Sequence, residues 1–554
     1  MSNRLAVLKF GGSLLRLPQD LEDAVSEIYR HVREGYRVVA VASAFEGVTD
    51  ALLAGAEAWG VAKNAHAAAE LVATGEVQSC AQLALALTRA GIRAKFASPH
   101  AVDLRCTGDP LDAEPRSLAI VRVLQLLRGR DVLVIPGFLG VDPEEGISLL
   151  GRGGSDYSAL FLADRLNADR CVLFKDVHGL YSGPPGDGVP LYSEVTYATA
   201  AEVANEAIQP KSLRFAEARS LQFRIGRPQA DDSTLVGAPA DRLRSHAAAP
   251  HLRVAVLGAG TVGGGVIDRL LRLPGEFTVV GVAARSAARR SALLARGLEV
   301  TDDPLEAVER PADVVVELMG GLDPASTAIE RSLQLGRSVV TANKAVVAHR
   351  PEWTTRLRYA GAVGGATPMV EAVRRVAAET GVAKLRGVLN GTTNYVLDQL
   401  SKGACLADAI GLAQRNGYAE CDPTGDLNGQ DASFKLTILG REAFGARKPC
   451  PEPGLDLAML EQTAALTKQG RRLRQVATGR ADWLSVAWHA LEPGDSLYEL
   501  GDDANALEIT DRVGRVHTVA GAGAGRYPTT EAVLADLFDL RRELGSQVSP
   551  RSLR

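Results

Sequence analysis

Residues 252–271 read LRVAVLGAGTVGGGVIDRLL, and this stretch decides the fold of the second half of the chain. Leu252 to Leu257 is apolar except for Arg253 and of strand length, the pattern of a buried parallel strand. Gly258-Ala259-Gly260-Thr261-Val262-Gly263 follows directly and opens a helix. Strand, glycine turn and helix in that order bring bare backbone up to a pyrophosphate, so Gly258, Gly260, Thr261, Val262 and Gly263 are candidate cofactor contacts. The next strand, Phe277 to Ala283, ends at Ala284-Arg285-Ser286, where an NAD-selective fold places an acid. Arg285, with Arg289 and Arg290 behind it, suits a 2′-phosphate and predicts NADP(H) in preference to NAD(H). The competing reading is a solvated helix start. Two more strand-like runs follow, Asp313–Leu318 and Ser338–Thr341, the second leading into Ala342-Asn343-Lys344-Ala345.

Further on, residues 419–439 read AECDPTGDLNGQDASFKLTIL. Glu420, Asp422, Asp426, Asp431 and Lys435 crowd into a loop that turns into an apolar helix. Asp431 and Lys435 are four apart and share one helical face. A lysine held beside carboxylates at an apolar edge is a candidate proton shuttle, because burial and neighbouring charge tune it. An ordinary surface ion pair would give the same spacing.

GAGTVG, TANKA, VGGATP, GVLNGTTNYVL, GYAECDPTGDLNGQDASFKL and GAGAGRYPTTEAV, in this order, resemble homoserine dehydrogenase from His251 onward. The resemblance implies reduction of aspartate 4-semialdehyde to homoserine with NAD(P)H. It makes Lys435 the acid/base lysine and Lys344 the lysine at the junction of nicotinamide and substrate. It gives Glu420 and Asp431 the substrate ammonium, with Asp426 shaping the pocket. Gly391 and Thr392 would line the substrate site, and Thr341 and Gly523 the cofactor. It also implies a monovalent-cation site, Na+ or K+, on the backbone carbonyls of Val363, Gly365 and Thr367. The family's glutamate ligand is replaced here by Ala360. The chemistry asks for the same residue types: a cationic donor for the developing alkoxide, and carboxylates for a zwitterion's ammonium.

In the N-terminal half, strands are expected at Leu5–Phe10, Arg37–Ala42, Val132–Phe138 and Arg170–Val177. Helices are expected from Asp20 to Glu34, after Ala73-Thr74-Gly75-Glu76, and through Leu166. Strands alternating with helices predict a parallel sheet covered on both faces, with glycine-rich strand ends as phosphate cradles. KFGGS, SAFEGVTD, ATGEVQS, GFLG, LGRGGSDYSA and KDVHGLY in sequence resemble the catalytic domain of aspartate kinase, over roughly residues 3–236. The resemblance implies ATP with Mg2+ as phosphoryl donor. Lys9 would neutralise the transferring phosphoryl group, and Gly11, Gly12 and Ser13 would wrap it. Glu76 and Arg152 would grip aspartate's ammonium and carboxylate, with Ser155 and Asp156 beside them and Asp176 and Tyr181 toward the nucleotide. Two cations of the family pattern are missing. Ser182-Gly183-Pro184-Pro185-Gly186 replaces an arginine motif, and Glu206 stands about where a lysine is expected, with Lys211 and Arg214 nearby.

The fold class is therefore α/β: an amino acid kinase fold (an αβα sandwich) fused to a Rossmann domain with an α+β substrate and dimerisation domain. The expected boundaries are 1–237 for the kinase-like domain, 238–250 for a linker, 251–368 for nucleotide binding and 369–515 for the substrate domain. A segment 516–554 would return to the cofactor. The chain has 554 residues, room for several full cores, and a net charge of −4 that offers no basic footprint for nucleic acid. Hydrophobic residues make up 46%, yet no apolar run reaches a membrane span of roughly 18 residues. With no signal-like N-terminus and six scattered cysteines, the expected location is the cytoplasm. The expected partners are the small molecules aspartate, aspartate 4-semialdehyde and homoserine, with a homodimer or homotetramer as the assembly. Bifunctional relatives carry a tandem ACT regulatory module; none fits between these halves, so feedback by threonine or lysine is expected to be weak. The alternative is a homoserine dehydrogenase fused to a catalytically weak or inactive kinase-like binding domain. A kinase for another acidic metabolite is a third reading.

Overall fold

The computed structural model describes residues 4–59, 64–184, 189–204, 207–230, 232–244, 249–416, 418–419, 422–445, 456–501 and 504–548. The chain divides into two compact units, with the change falling between Ala249 and Pro250.

In the first unit the central strands are β1 (Leu5–Phe10), β2 (Arg37–Ala42), β3 (Val132–Pro136), β4 (Arg170–Phe174) and β5 (Phe223–Gly226). They run parallel in the order β5-β4-β1-β2-β3, inside a sheet of nine strands among the described residues. Every residue of β1 and β3 is buried, which is why these runs are apolar on both faces rather than alternating, with Lys9 the one charged residue. Helices α1 (Ala65–Arg89) and α2 (Gly154–Leu166) carry the residues that matter below.

Three expectations need correction here. The Ala73–Glu76 stretch does not precede a helix but lies inside the 25-residue α1. Gly75 is there for close packing: a Cβ at this position would meet Val48 Cγ1 at 2.9 Å and Leu52 Cδ1 at 3.1 Å. The strand expected to reach Phe138 stops at Pro136, and Phe138 turns the chain with φ of 68°. A Cβ on Gly137 would lie 2.8 Å from Ser155 Cβ, so the turn fits only a glycine against α2. Likewise β4 ends at Phe174, short of the expected Val177.

The second unit contains β6 (Leu252–Leu257), β7 (Phe277–Ala283), β8 (Val314–Glu317) and β9 (Ser338–Thr341), parallel in the order β7-β6-β8-β9. Helix α3 (Thr261–Leu270) follows β6, and α4 (Lys344–His349) follows β9. A separate antiparallel sheet runs β12-β11-β10-β13-β14, formed by β10 (Val382–Val388), β11 (Arg472–Arg480), β12 (Trp483–Leu491), β13 (Ala504–Asp511) and β14 (Val516–Ala522). Helices α5 (Gly391–Ser401) and α6 (Gln430–Phe444) belong to this domain. One apolar core runs from Leu257 and Val315 of the parallel sheet through Val363 and Met369 to Leu385, Leu436 and Leu507, so the second unit's two sheets share a core. The segment from Val516 is first an edge strand of the antiparallel sheet. It then becomes helix α7 (Arg526–Val548), whose Phe538 ring meets Phe277 of β7 edge-on at 5.4 Å.

Candidate active sites

The nucleotide turn of the second unit shows why each glycine stands where it does. Gly258 has φ of 99°, and a Cβ there would sit 2.7 Å from the Leu318 carbonyl oxygen. Gly263 lies so close on the Gly258 carbonyl that no side chain fits. Gly260, by contrast, borders open space. The first and third glycines thus close the turn onto its helix, and the second faces a cavity of about 530 Å³. That cavity is lined also by Arg285, Ser286, Arg289, Asp302 and Met319. Arg290 donates to the carbonyls of Ala284 and Arg285 at 2.9 and 2.7 Å and lies 3.5 Å from Asp302. It fixes the loop, leaving Arg285 and Arg289 exposed at the rim. Thr261 is exposed and Val262 half-buried at the helix start. Thr341 is fully buried, and its hydroxyl donates to Glu317 Oε2 at 2.7 Å rather than facing the cavity.

Asp431, in the first turn of α6, is the centre of the substrate-domain cluster. Its Oδ2 pairs with Lys435 Nζ at 2.7 Å, one helical turn on, and accepts from Asn390 Nδ2 at 2.7 Å. Its Oδ1 pairs with Lys344 Nζ, brought from the parallel-sheet domain at the start of α4, where Asn343 caps the helix. Lys435 is 6% exposed, and its Nζ also donates to the Leu389 carbonyl at 2.8 Å. That carbonyl takes a second donor, Asn505 Nδ2, at 3.1 Å. Burial pushes the Asp431 carboxyl up, but Lys344 and Lys435 more than reverse this and hold it well below the usual carboxylate range. Asp426 is raised instead, by burial and then by the Asp431 charge. It accepts from the same Asn390 amide at 2.7 Å. One asparagine therefore spans two carboxylates shifted in opposite directions.

Gly391 and Thr392 open α5 beside this cluster, with the Thr392 hydroxyl donating to the Tyr418 carbonyl at 2.5 Å. Gly523 is buried against Asn505, whose amide occupies the space of a side chain. Glu420 and the neighbouring Cys421 lie outside the described residues. Val363, Gly365 and Thr367 are buried on a loop where Gly364 and Gly365 take φ of 85° and 54°. The Thr367 carbonyl already accepts the Met369 N–H at 2.7 Å.

In the first unit a cavity of about 670 Å³ is lined by Lys9, Gly12, Ser13, Glu76, Arg152, Ser155 and Asp156, with Lys175 among its other walls. Gly11 leaves room for the Lys9 ammonium, since a Cβ there would lie 2.7 Å from its nitrogen and push it aside. Lys9 Nζ is 2.7 Å from Asp156 Oδ1, and Ser43 Oγ donates to Ser155 Oγ at 2.9 Å. Glu76, on α1, is 2% exposed, and burial pushes its carboxyl up to about 8 against the pull of the Ala44 backbone, Lys9 and Thr49. Asp176 is exposed and is not among the cavity-lining residues; Tyr181 is half-buried, bridged to Leu191. Glu206 lies outside the described residues.

Comparison with known proteins follows the same division. The model of the amino acid kinase family matches residues 4–224. The NAD-binding domain model of homoserine dehydrogenase matches 258–371, and the homoserine dehydrogenase model matches 368–538. A homoserine dehydrogenase of Mycobacterium tuberculosis is 39% identical over 326 residues, 53% of this chain and 74% of that protein. One of Neisseria gonorrhoeae is 30% identical over 325 residues, 54% and 74% respectively. The chain belongs to the homoserine dehydrogenase family. An amino acid kinase domain precedes the dehydrogenase in the same chain. Among solved structures, a homoserine dehydrogenase from Thiobacillus denitrificans is 32% identical, covering 55% of this chain and 76% of its own, with a TM-score of 0.48. No helix among the described residues is long and apolar enough to cross a membrane.

Several residues of the dehydrogenase and kinase sites are not legible from sequence. Asn390 is visible only inside GVLNGTT, as a helix cap before Gly391, and its bridging amide depends on the fold. Asn505 comes from a strand with no motif at all. Lys175 stands in KDVHGLY, but only the early end of β4 reveals that its ammonium reaches Asp156, at 2.7 Å.

Proposed function

We propose that the dehydrogenase half reduces aspartate 4-semialdehyde to homoserine with NADPH, and that the kinase half phosphorylates aspartate from ATP. The observation that carries the first activity is the Lys344–Asp431–Lys435 bridge, which joins the nucleotide-binding and substrate domains. The open face of Gly260 and the exposed Arg285 and Arg289 fit a phosphorylated dinucleotide, and Gly523 would meet the cofactor as the family resemblance implies. When bound, NADPH supplies the hydride. Lys435, held between Asp431 and the Leu389 carbonyl, gives its proton to the carbonyl oxygen as negative charge develops there. Lys344 orients the substrate at the nicotinamide side.

Asp431 has both oxygens engaged, so its first task is to hold the two lysines. The substrate ammonium falls mainly to Asp426 and Glu420, with Gly391 and Thr392 lining the same pocket. A monovalent cation, Na+ or K+, would sit on the carbonyls of Val363, Gly365 and Thr367. With Ala360 adding only a methyl group, that set is neutral and one carboxylate short.

In the kinase half Lys9, Gly11, Gly12 and Ser13 would hold the transferring phosphoryl group, and Glu76 and Arg152 aspartate's ammonium and a carboxylate. Ser155 and Asp156 would position these groups, Asp176 and Tyr181 would face the nucleotide, and Mg2+ would enter as the nucleotide's counter-ion. A binding-only kinase half is the second reading, favoured by Ser182-Gly183-Pro184 where an arginine motif is expected. The reading also includes a cytoplasmic location, consistent with Cys80, Cys106, Cys171 and Cys405 as free thiols, and assembly through the antiparallel-sheet domain as a homodimer or homotetramer. The tests are direct: NADPH oxidation with the semialdehyde, and ADP release with aspartate as acceptor. Absence of the first sinks the dehydrogenase reading; absence of the second leaves the kinase half as a binding module.

A further inference from the structure

The kinase-like cavity holds a cation that the family pattern did not announce. Lys175 follows β4 immediately, and its backbone N–H donates to the Gly226 carbonyl at 2.9 Å, which sets the direction of its side chain. Its Nζ lies 2.7 Å from Asp156 Oδ2, while Lys9, from the adjacent parallel strand, lies 2.7 Å from Oδ1. One buried carboxylate at the start of α2 thus carries two ammonium groups, and the trio keeps one uncompensated positive charge.

That arrangement is costly in an empty site. Two like charges on one carboxylate repel at short range in a partly desolvated setting. Lys9 records the cost: burial depresses it to about 8, and Lys175 pushes it the same way against the pull of Asp156. A structural ion pair would need only one lysine, and Asp156 already has Lys9. The second ammonium makes sense if the cavity receives a polyanion.

The other cations near the site do not fill this place. Lys211 is bound to Asp112 Oδ1 at 2.6 Å and to the carbonyls of Ala113 and Leu150 at 3.1 and 3.3 Å. Arg214 is exposed on the helix Pro210–Ala218 and is not among the cavity-lining residues. Among the described residues lining the cavity, the cations are Lys9, Arg152 and Lys175.

We propose that Lys175 is a second catalytic cation of the kinase half, gripping with Lys9 the transferring phosphoryl group of a nucleoside triphosphate and replacing charge that the missing arginine and lysine would supply. The proposal rests on the kinase reading above. In the step it serves, a carboxylate oxygen of the acceptor forms a bond to the γ-phosphorus. The bond from phosphorus to the β,γ-bridging oxygen breaks, and the nucleoside diphosphate leaves with that electron pair. No proton or redox equivalent is needed. Charge shifts onto the bridging oxygen, and two ammonium groups stabilise it better than one.

The test uses the full chain with Lys175→Met and Lys175→Arg. ADP release with aspartate gives kcat and both KM values, calorimetry gives MgATP affinity, and dehydrogenase turnover with thermal unfolding checks integrity. Lys175→Met should lower kcat by at least ~10²-fold, the scale for losing one transition-state cation or donor. It should weaken MgATP by at least about tenfold, as expected for a charge-assisted contact, and leave the KM for aspartate nearly unchanged. Lys175→Arg should recover part of both losses; dehydrogenase turnover should not move. Turnover of Lys175→Met within about threefold of the unmodified chain overturns the proposal. If the unmodified chain does not phosphorylate aspartate, the aspartate reading fails separately and MgATP affinity decides. Weaker binding in Lys175→Met, restored by Lys175→Arg, supports the phosphate grip. Equal affinity, or no binding by the unmodified chain, overturns it. Should Lys175→Met unfold the kinase half, the same comparison is read from Lys175→Gln.

Discussion

Replacing Lys435 by methionine tests the dehydrogenase site most cleanly, because the structure predicts a large loss of activity and a small loss of stability. Methionine keeps most of the side chain's volume and removes only the ammonium. Asp431 remains faced by Lys344 and Asn390, so no buried charge is orphaned. The fold then loses the contacts to Leu389 and Asp431, on the order of 1–2 kcal/mol. Turnover loses its proton donor, worth ~10²- to 10⁴-fold, or about 3–5 kcal/mol of barrier. Asp431→Asn should behave differently. It leaves two ammonium groups without their shared anion, and breaking a buried pair this way costs about 3–5 kcal/mol. Asp431→Asn therefore loses much of both stability and turnover, whereas Lys435→Met loses turnover with only the smaller loss of stability. The carboxyl of Asp431 is depressed in the fold, so its contribution is present above its ordinary value of 3.8 and lost as pH falls through the lower folded value. Asp431→Asn should flatten that acid-side loss. The assay is NADPH oxidation with the semialdehyde, paired with thermal melts from neutral to acid pH. Lys435→Met turning over within about tenfold of the unmodified chain, with NADPH affinity unchanged, would show that Lys435 is only a counter-ion and would refute the assignment.

Three further outcomes are expected. With Arg285 at the cavity rim, kcat/KM should favour NADPH, and Arg285→Asp should move the ratio toward NADH by at least about tenfold; a parent enzyme preferring NADH sinks this assignment. Burial raises Glu76 to about 8, so an empty kinase site holds it neutral at pH 7, and its contribution to stability falls as pH rises from 4.5 toward 8. Aspartate's ammonium should draw the proton off, giving proton release on binding and a KM for aspartate that falls between pH 7 and about 8.5; a flat KM over that range contradicts it. Gly523→Ala places a methyl in the space of the Asn505 amide, so the Leu389 carbonyl loses one donor and Lys435 its fixed anchor. Turnover should fall by roughly tenfold or more with an intact melt, and unchanged turnover would separate Asn505 from the site.

What the sequence disclosed followed from local physics. Leu252–Leu257, Phe277–Ala283, Leu5–Phe10 and Arg37–Ala42 form strands over the expected residues, because a largely buried parallel strand is mostly apolar and β-branched. The i,i+4 spacing of Asp431 and Lys435 became a 2.7 Å pair because both lie on one helix. What stayed hidden depended on contacts between distant segments. Gly75 looked like a helix boundary, since glycine is a poor helix former, until the neighbouring Val48 and Leu52 showed why nothing larger fits. Lys344 and Asp431 are 87 residues apart, and no periodicity predicts that their side chains share a site. Asn505 is invisible for the same reason: its meaning lies in a carbonyl 116 residues away.

The two halves confront one chemical group, a primary ammonium beside a carboxylate, with opposite electrostatics. In the kinase cavity burial outweighs the pull of Lys9 and raises the Glu76 carboxyl to about 8, and on the proposed reading its charge would appear when the substrate brings an ammonium partner. In the dehydrogenase Lys344 and Lys435 hold the Asp431 carboxyl well below its ordinary value, and on the proposed reading this standing charge holds the proton donor in place. Each arrangement suits its reaction. Phosphoryl transfer needs the acceptor positioned with net positive charge aimed at the phosphate, so an anion ionised without its partner would oppose the donor. Carbonyl reduction needs a lysine that stays charged in a dry site until the alkoxide forms, which requires a standing carboxylate beside it. The oxidation states also keep the two reactions apart. An acyl phosphate lies two electrons above an aldehyde, so the product of the first site cannot serve the second until a reductive dephosphorylation has intervened. Nothing in that chemistry requires the sites to communicate, and each unit supplies its own cavity and charges.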